Sequence, residues 1–258
     1  MIVERGDFNK RGQVTIFIIV AILIIAFGIL IYMFYPKIIS GGPADTESPS
    51  AFIQECLEEK IQDTVEIVSL QGGSFDPSFY YSYGEDNVEY LCYTNQYYRP
   101  CVVQQPFLIQ HIEDEIEKEI EGDVKACFSS MEKSYTNKGY TTDLKTGNFS
   151  VEIKQNRIVT SFSHELVLTK GDVEKYQNFK IILDNNLYEL ASIAGSIVSW
   201  ETLYGDVEVT SYMNYYHNLK VEKQKQSDET TVYIITDRDS EKKFQFASRS
   251  YAFPPGYF

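Results

Sequence analysis

Four cysteines, three histidines and twenty tyrosines are the side chains with the most chemistry to offer in this chain. Cys56, Cys92, Cys101 and Cys127 are even in number and contain no C-x-x-C spacing, which suits disulfides rather than a zinc or redox site. His111, His164 and His217 lie far apart, with no carboxylate or cysteine at ligand spacing beside them. His164 and His217 fall on the apolar faces of expected strands and read as buried, hydrogen-bonded structural residues. His111 reads as an exposed residue at the start of an acidic helix. The run from Glu113 to Asp123 is acidic but helical in pattern, whereas a calcium loop alternates oxygen ligands around a glycine turn, so it reads as a solvated face. Nucleophile-elbow, zinc-protease, P-loop and dinucleotide fingerprints do not occur. The expectation is no enzyme, no cofactor and no metal. Asn148-Phe149-Ser150 is the one N-x-[ST] sequon, a possible glycosylation site.

Seven tyrosines crowd one stretch: Tyr80, Tyr81, Tyr83, Tyr90, Tyr93, Tyr97 and Tyr98. Val88 and Leu91 are the aliphatic residues among them, where a core hairpin would carry more. Tyrosine offers large contact area at low entropic cost, so this stretch is the expected binding surface. Cys92 and Cys101 stand symmetrically about a turn near Gln96, which makes Cys92–Cys101 a hairpin clasp.

Two helices frame that stretch. Ser48 before Pro49 is an N-cap signal, and Ile53, Leu57, Ile61, Val65 and Val68 recur at helical spacing up to Gly72-Gly73. A second helix is predicted from near Pro106, with Ile109, Ile112, Ile116, Ile120, Val124, Cys127 and Met131 along one face. Cys56 and Cys127 both lie at the shared seam and are paired on that ground. From Asn148 the period becomes two: Phe149, Val151 and Ile153 alternate, a tight turn follows, and Ile158, Phe162, Leu166 and Leu168 continue. A short strand "FKIIL" leads to a helix from Asn186 to Trp200, with Asn186 and Glu189 as a capping box and Gly205 beyond its end. Val207, Val209, Met213, Tyr215, Leu219 and Val221 then read as one long strand, followed by strands "TTVYIIT" and "KKFQFAS".

At the N-terminus, Val14 to Tyr35 is a run of 22 residues without charge or proline. As a helix it measures about 33 Å, enough for a hydrocarbon core of about 30 Å. Tyr32, Phe34 and Tyr35 suit an interface, and no Ala-x-Ala cleavage pattern follows. Arg5, Lys10 and Arg11 precede the run, which places the N-terminus in the cytoplasm and all after Pro36 outside.

Arg11-Gly12-Gln13-Val14-Thr15 resembles the archaeal class III signal peptide, the type IV pilin-like leader. The resemblance implies cleavage between Gly12 and Gln13 with the helix retained. That family usually carries Glu two residues after the hydroxyl position, where this chain has Phe17, and Pro36 with Gly41-Gly42-Pro43 interrupts the stalk. Both departures favour an anchor over a polymerising spine.

The expected fold is α+β: a single N-terminal transmembrane helix, a disulfide-bonded two-helix plus hairpin region, and an antiparallel sheet with one covering helix. The expected organisation is a leader at 1–13, a span at 14–35, a Gly/Pro/Ser linker at 36–50, the helix-hairpin-helix region at 51–146 and the sheet domain at 147–258. From Lys37 onward 35 Asp and Glu face 20 Lys and Arg, a balance that argues against nucleic acid as partner. What these features imply together is an archaeal surface protein in the cell membrane, anchored in the bilayer through residues 14–35, its outer part binding another protein or a glycan. A minor pilin-like or envelope structural subunit is the alternative.

Overall fold

The computed structural model of the protein describes Val20, Ile24 and residues 48–251. The leader with Gly12 and Gln13, the rest of the 14–35 span, nearly all of the linker and the C-terminal "FPPGYF" lie outside the described residues. No helix among the described residues is long and apolar enough to cross a membrane.

Ser48 to Phe258 forms one unit. Helix α1 (Pro49–Leu70) starts as its sequence dictates: the Ser48 hydroxyl accepts from the Ala51 N–H at 3.2 Å and Pro49 fills the first turn. It is followed by β1 (Tyr80–Tyr83), β2 (Asp86–Tyr93), the short β3 (Val102–Val103) and α2 (Leu108–Asn137). Ile53, Leu57, Ile61, Ile112, Ile116 and Ile120 are almost wholly buried and belong to the main core. Cys56–Cys127 joins the two helices at a Cα separation of 6.1 Å, and Cys92–Cys101 spans 5.3 Å, both inside the range a disulfide requires. The chain between α1 and β1 passes so close to β2 that a Cβ at Gly72 would stand 2.8 Å from the Glu89 Cβ.

Then come β4 (Thr141–Lys145), β5 (Phe149–Lys154), β6 (Arg157–Lys170), β7 (Asp172–Asp184), α3 (Leu187–Tyr204), α4 (Thr210–Tyr215), β8 (Leu219–Lys225), β9 (Thr231–Asp237) and β10 (Lys243–Arg249). The expected single antiparallel sheet is two. In one, β6 pairs with β7 along one edge and with β5 then β4 along the other, all antiparallel. The other runs β1-β2-β10-β9-β8, with β3 on β2, and is mixed: β10 lies parallel to β2, Ala247 opposite Tyr90. That pairing stitches the region 51–146 to the region 147–258, so the two share a sheet and a core. "FKIIL" is part of a strand of 13 residues, because β6 offers a partner along its whole length.

The long strand expected over 207–221 is a correction. Val209 and Met213 fit alternating and helical spacing alike while Tyr212 fits the helical one alone. All three pack half-buried on the core from a short helix, α4, and the residue that caps it. The Glu208 carboxylate starts it by accepting from the N–H and hydroxyl of Thr210, at 2.9 and 2.5 Å. The capping box at α3 does not form either. Asn185 accepts from the Leu187 N–H at 2.8 Å, Asn186 donates to Asp237 at 2.6 Å, and Glu189 accepts from the Asn156 N–H. Gly205 does close the helix, in the left-handed region at φ 72°.

The acidic face of α2 is only partly solvated. Glu113 and Glu117 accept from the backbone N–H groups of Ile153 and Val151, each at 2.7 Å. Four residues of helix rise about 6 Å and two residues of strand about 6.6 Å, so carboxylates at i and i+4 match successive outward N–H groups of an edge strand. Glu115 accepts from the Phe75 N–H at 3.1 Å. These carboxylates blunt the β5 edge, which would otherwise offer a template for pairing. Among the described residues no group of His, Cys, Asp or Glu could hold a metal ion.

Candidate binding surface

The seven tyrosines divide by depth. Tyr90 is 5% exposed, its hydroxyl 2.8 Å from that of Thr230, and burial pushes its pKa up. It is a core residue, which corrects its expected place on the binding surface. Tyr81, Tyr83 and Tyr93 are half-buried around the same small cluster, whose aliphatic members besides Val88 are Val232, Ile234 and Ala247 from β9 and β10. Aliphatic neighbours were therefore present, but from strands distant in sequence. Tyr80 is exposed at the edge of β1.

Tyr97 and Tyr98 are the most exposed of the seven, at 69% and 62%. They stand on the loop closed by Cys92–Cys101, and this loop is tied to the end of β10. Thr94 N–H donates to the Arg249 carbonyl at 2.9 Å and Cys101 N–H to the Ser250 hydroxyl at 2.9 Å. Arg249 donates to the hydroxyls of Tyr93 and Tyr251 at 3.3 and 2.9 Å, and Tyr251 lays its ring 5.2 Å from that of Tyr97. Tyr98 holds φ at 59°, a conformation that a tyrosine keeps only where its surroundings impose it. Beside the loop is an open recess of about 860 Å³ lined by Tyr93, Gln96, Tyr98, Arg99 and Thr202.

None of the histidines sits as expected in full. His164 is buried, its ring stacked on Phe128 at 4.0 Å, yet its Nδ1 has no hydrogen-bond partner. Burial holds its pKa below the ordinary histidine value. His217 lies in an exposed turn before β8, because the strand expected there is the helix α4. His111 is half-buried, with Nε2 2.8 Å from the Ser74 hydroxyl and 3.7 Å from Glu89, and that carboxylate raises its pKa. Ser74, His111 and Glu89 have the residue types of a nucleophilic triad but a different geometry. Ser74 is 4% exposed and donates to Glu89 at 2.5 Å, and Glu89 stands beside the same ring nitrogen as the serine instead of orienting the other. The arrangement locks the 74–76 turn to β2 and α2.

Asn148 is exposed between β4 and β5, at the mouth of a recess of about 830 Å³ that also reaches Phe128 and His164. Its carbonyl accepts from the Ser163 N–H at 2.9 Å. A Cβ at the adjoining Gly147 would meet the Ser163 carbonyl oxygen at 2.1 Å, so only glycine fits that crossing.

Sequence reasoning passed over a second aromatic surface. Trp200 and Tyr204, one turn apart on α3, stack at 5.0 Å and 26°; Tyr215 and Tyr216 at the end of α4 meet edge to face at 4.9 Å. The signal available was the i, i+4 spacing of Trp200 and Tyr204 at the end of the helix. The chain matches no protein family, no curated protein and no solved structure.

Proposed function

We propose that the chain is a single-pass, membrane-tethered extracytoplasmic protein whose folded unit is a recognition module rather than an enzyme. The 22-residue uncharged run with its basic N-terminal flank supplies the tether. Two disulfides that use all four cysteines suit an oxidising compartment. The observation that carries the reading is the clasped loop: Tyr97 and Tyr98 stand in solvent on a segment fixed by a disulfide at its base and by β10 at its side. A pre-ordered aromatic loop loses little freedom on binding. The Ser74–His111–Glu89 group, with its buried serine donating to the glutamate and no carboxylate of the described residues on the other ring nitrogen, supports binding over catalysis.

The test is attachment of the purified full chain to cell-surface preparations. Tyr97→Ser with Tyr98→Ser should cut retention at least fivefold at unchanged melting temperature. If the double variant unfolds readily, or binds normally when folded, the loop is not the recognition surface. Protease added to intact cells should digest the chain beyond residue 40, and protection of the whole chain would refute the topology. Labelled protein incorporated along surface filaments would support the pilin-like alternative instead.

A further inference from the structure

We propose that the groove between α3 and α4 is a second binding site, and that its ligand is a neutral glycan. It stands on residues separate from the clasped loop and survives if that loop proves inert.

The groove encloses about 530 Å³, within the usual range of ligand sites. Its walls are the two ring pairs. Trp200 is 48% exposed, Tyr204 56%, Tyr215 78% and Tyr216 42%. Soluble surfaces scatter large apolar side chains singly, and a contiguous group of this kind marks an interaction site. The rings are also held in place. Trp200 and Tyr204 share one helix face, while α4 is fixed at its start by Glu208 and beneath by Tyr212, whose hydroxyl is 2.8 Å from that of Ser196. None of the six residues of α4 is fully buried; Tyr212 and Met213 seat the helix half-buried on the core and its C-terminal end carries the rings.

The lining decides the ligand class. Val207 is the one aliphatic residue on it; the others are rings with polar tips, two serines, Asp206 and Glu208. A lipid chain or an apolar peptide would be matched by Leu, Ile and Val. A pyranose is matched by flat rings for its C–H face and by hydroxyls and carboxylates for its equatorial OH groups. Charge narrows the choice further. Asp206 pairs with Lys223 and has Lys225 at 3.9 Å, while Glu208 is occupied by Thr210, so two carboxylates stand against two ammonium groups. A quaternary ammonium ligand would call for an aromatic cage with unpaired negative charge, and an anion for unpaired positive charge. Among the described residues no positive charge lines the groove, and its one carboxylate without an ammonium partner, Glu208, is taken up by the N–H and hydroxyl of Thr210.

Trp200 is the only tryptophan in the chain, so its fluorescence reports on this groove. The full chain, held in a sugar-free detergent, is titrated with cello-, malto-, manno- and chito-tetrasaccharides, and in parallel with tetramethylammonium and oligogalacturonate. A saturable change with at least one neutral tetrasaccharide and with neither ion is expected. Tyr215→Ala and Tyr204→Ala should each weaken it at least tenfold at unchanged melting temperature, since both side chains are largely exposed. The Tyr97→Ser, Tyr98→Ser variant should titrate like the parent, which separates this site from the clasped loop. Silence with all four tetrasaccharides overturns the proposal. So does an equal response to either ion, or a spectral change that follows protein concentration alone and so reports a second copy in the groove.

Discussion

Cys56–Cys127 crosses a seam in which α1 and α2 bury a continuous row of isoleucine, leucine and valine, whereas Cys92–Cys101 closes a loop whose side chains mostly face water. In the seam the bridge reinforces a packing that apolar periodicity already dictates. In the loop it substitutes for packing, together with hydrogen bonds to the end of β10. Order in one region comes from apolar area removed from water and in the other from covalent and polar ties. Side-chain changes should therefore be costly in the seam and cheap in the loop.

The largest test of that contrast removes the bridges. They separate 71 and 9 positions in sequence, so loop-closure entropy assigns about 4 kcal/mol to Cys56–Cys127 and about 2.5 kcal/mol to Cys92–Cys101. Paired Cys→Ala variants compared by urea denaturation should show that order, and the reverse order would break the comparison. Next are single side chains. Ile116→Ala in the seam should lose about 3 kcal/mol with its buried volume, while Tyr97→Ser should stay within about 0.5 kcal/mol on the loop.

The smallest effect is pH-dependent and sharpens the seam side. Ser74, Glu89, Asp114 and Glu115 surround His111, and Glu89 raises its folded pKa above the ordinary value of about 6.5. Its contribution is complete below about pH 6.5 and is lost as pH rises through the folded value. For His164, packed on Phe128 and Phe162, the folded pKa is lowered, so the folded state loses stability as pH falls below about 6.5. Melting temperature should peak between these slopes. His111→Gln should flatten the alkaline limb alone, and an unchanged alkaline limb would show that the Glu89 contact contributes nothing.

What the sequence disclosed follows the range of the interactions. The α1–α2 seam and the Cys56–Cys127 pairing were legible because Ile53 to Val68 and Ile112 to Met131 repeat at helical spacing, and the Cys92–Cys101 pairing from its symmetry about the turn near Gln96. The β5–β6 hairpin was legible from its alternation and a turn that ends at Asn156, whose φ is 59°. Tyr90 was misplaced because its neighbours Val232 and Ala247 lie more than a hundred residues away. Glu113 and Glu117 looked like a solvated face because nothing local marks an N–H group on another element as their partner. The groove on α3 and α4 stayed hidden since Tyr215 fitted a strand and a helix equally well.

The parallel contact of β10 with β2 also sets a schedule. In the order β1-β2-β10-β9-β8 the strand nearest the C-terminus takes a central position, between one of the first strands made and its own hairpin partner. The β1–β2 hairpin must wait with an open edge until residue 249 has left the ribosome. Such long-range pairing slows folding and leaves unpaired edges exposed meanwhile. All four cysteines precede that strand, so both bridges can close on a nascent chain whose larger sheet still lacks its middle.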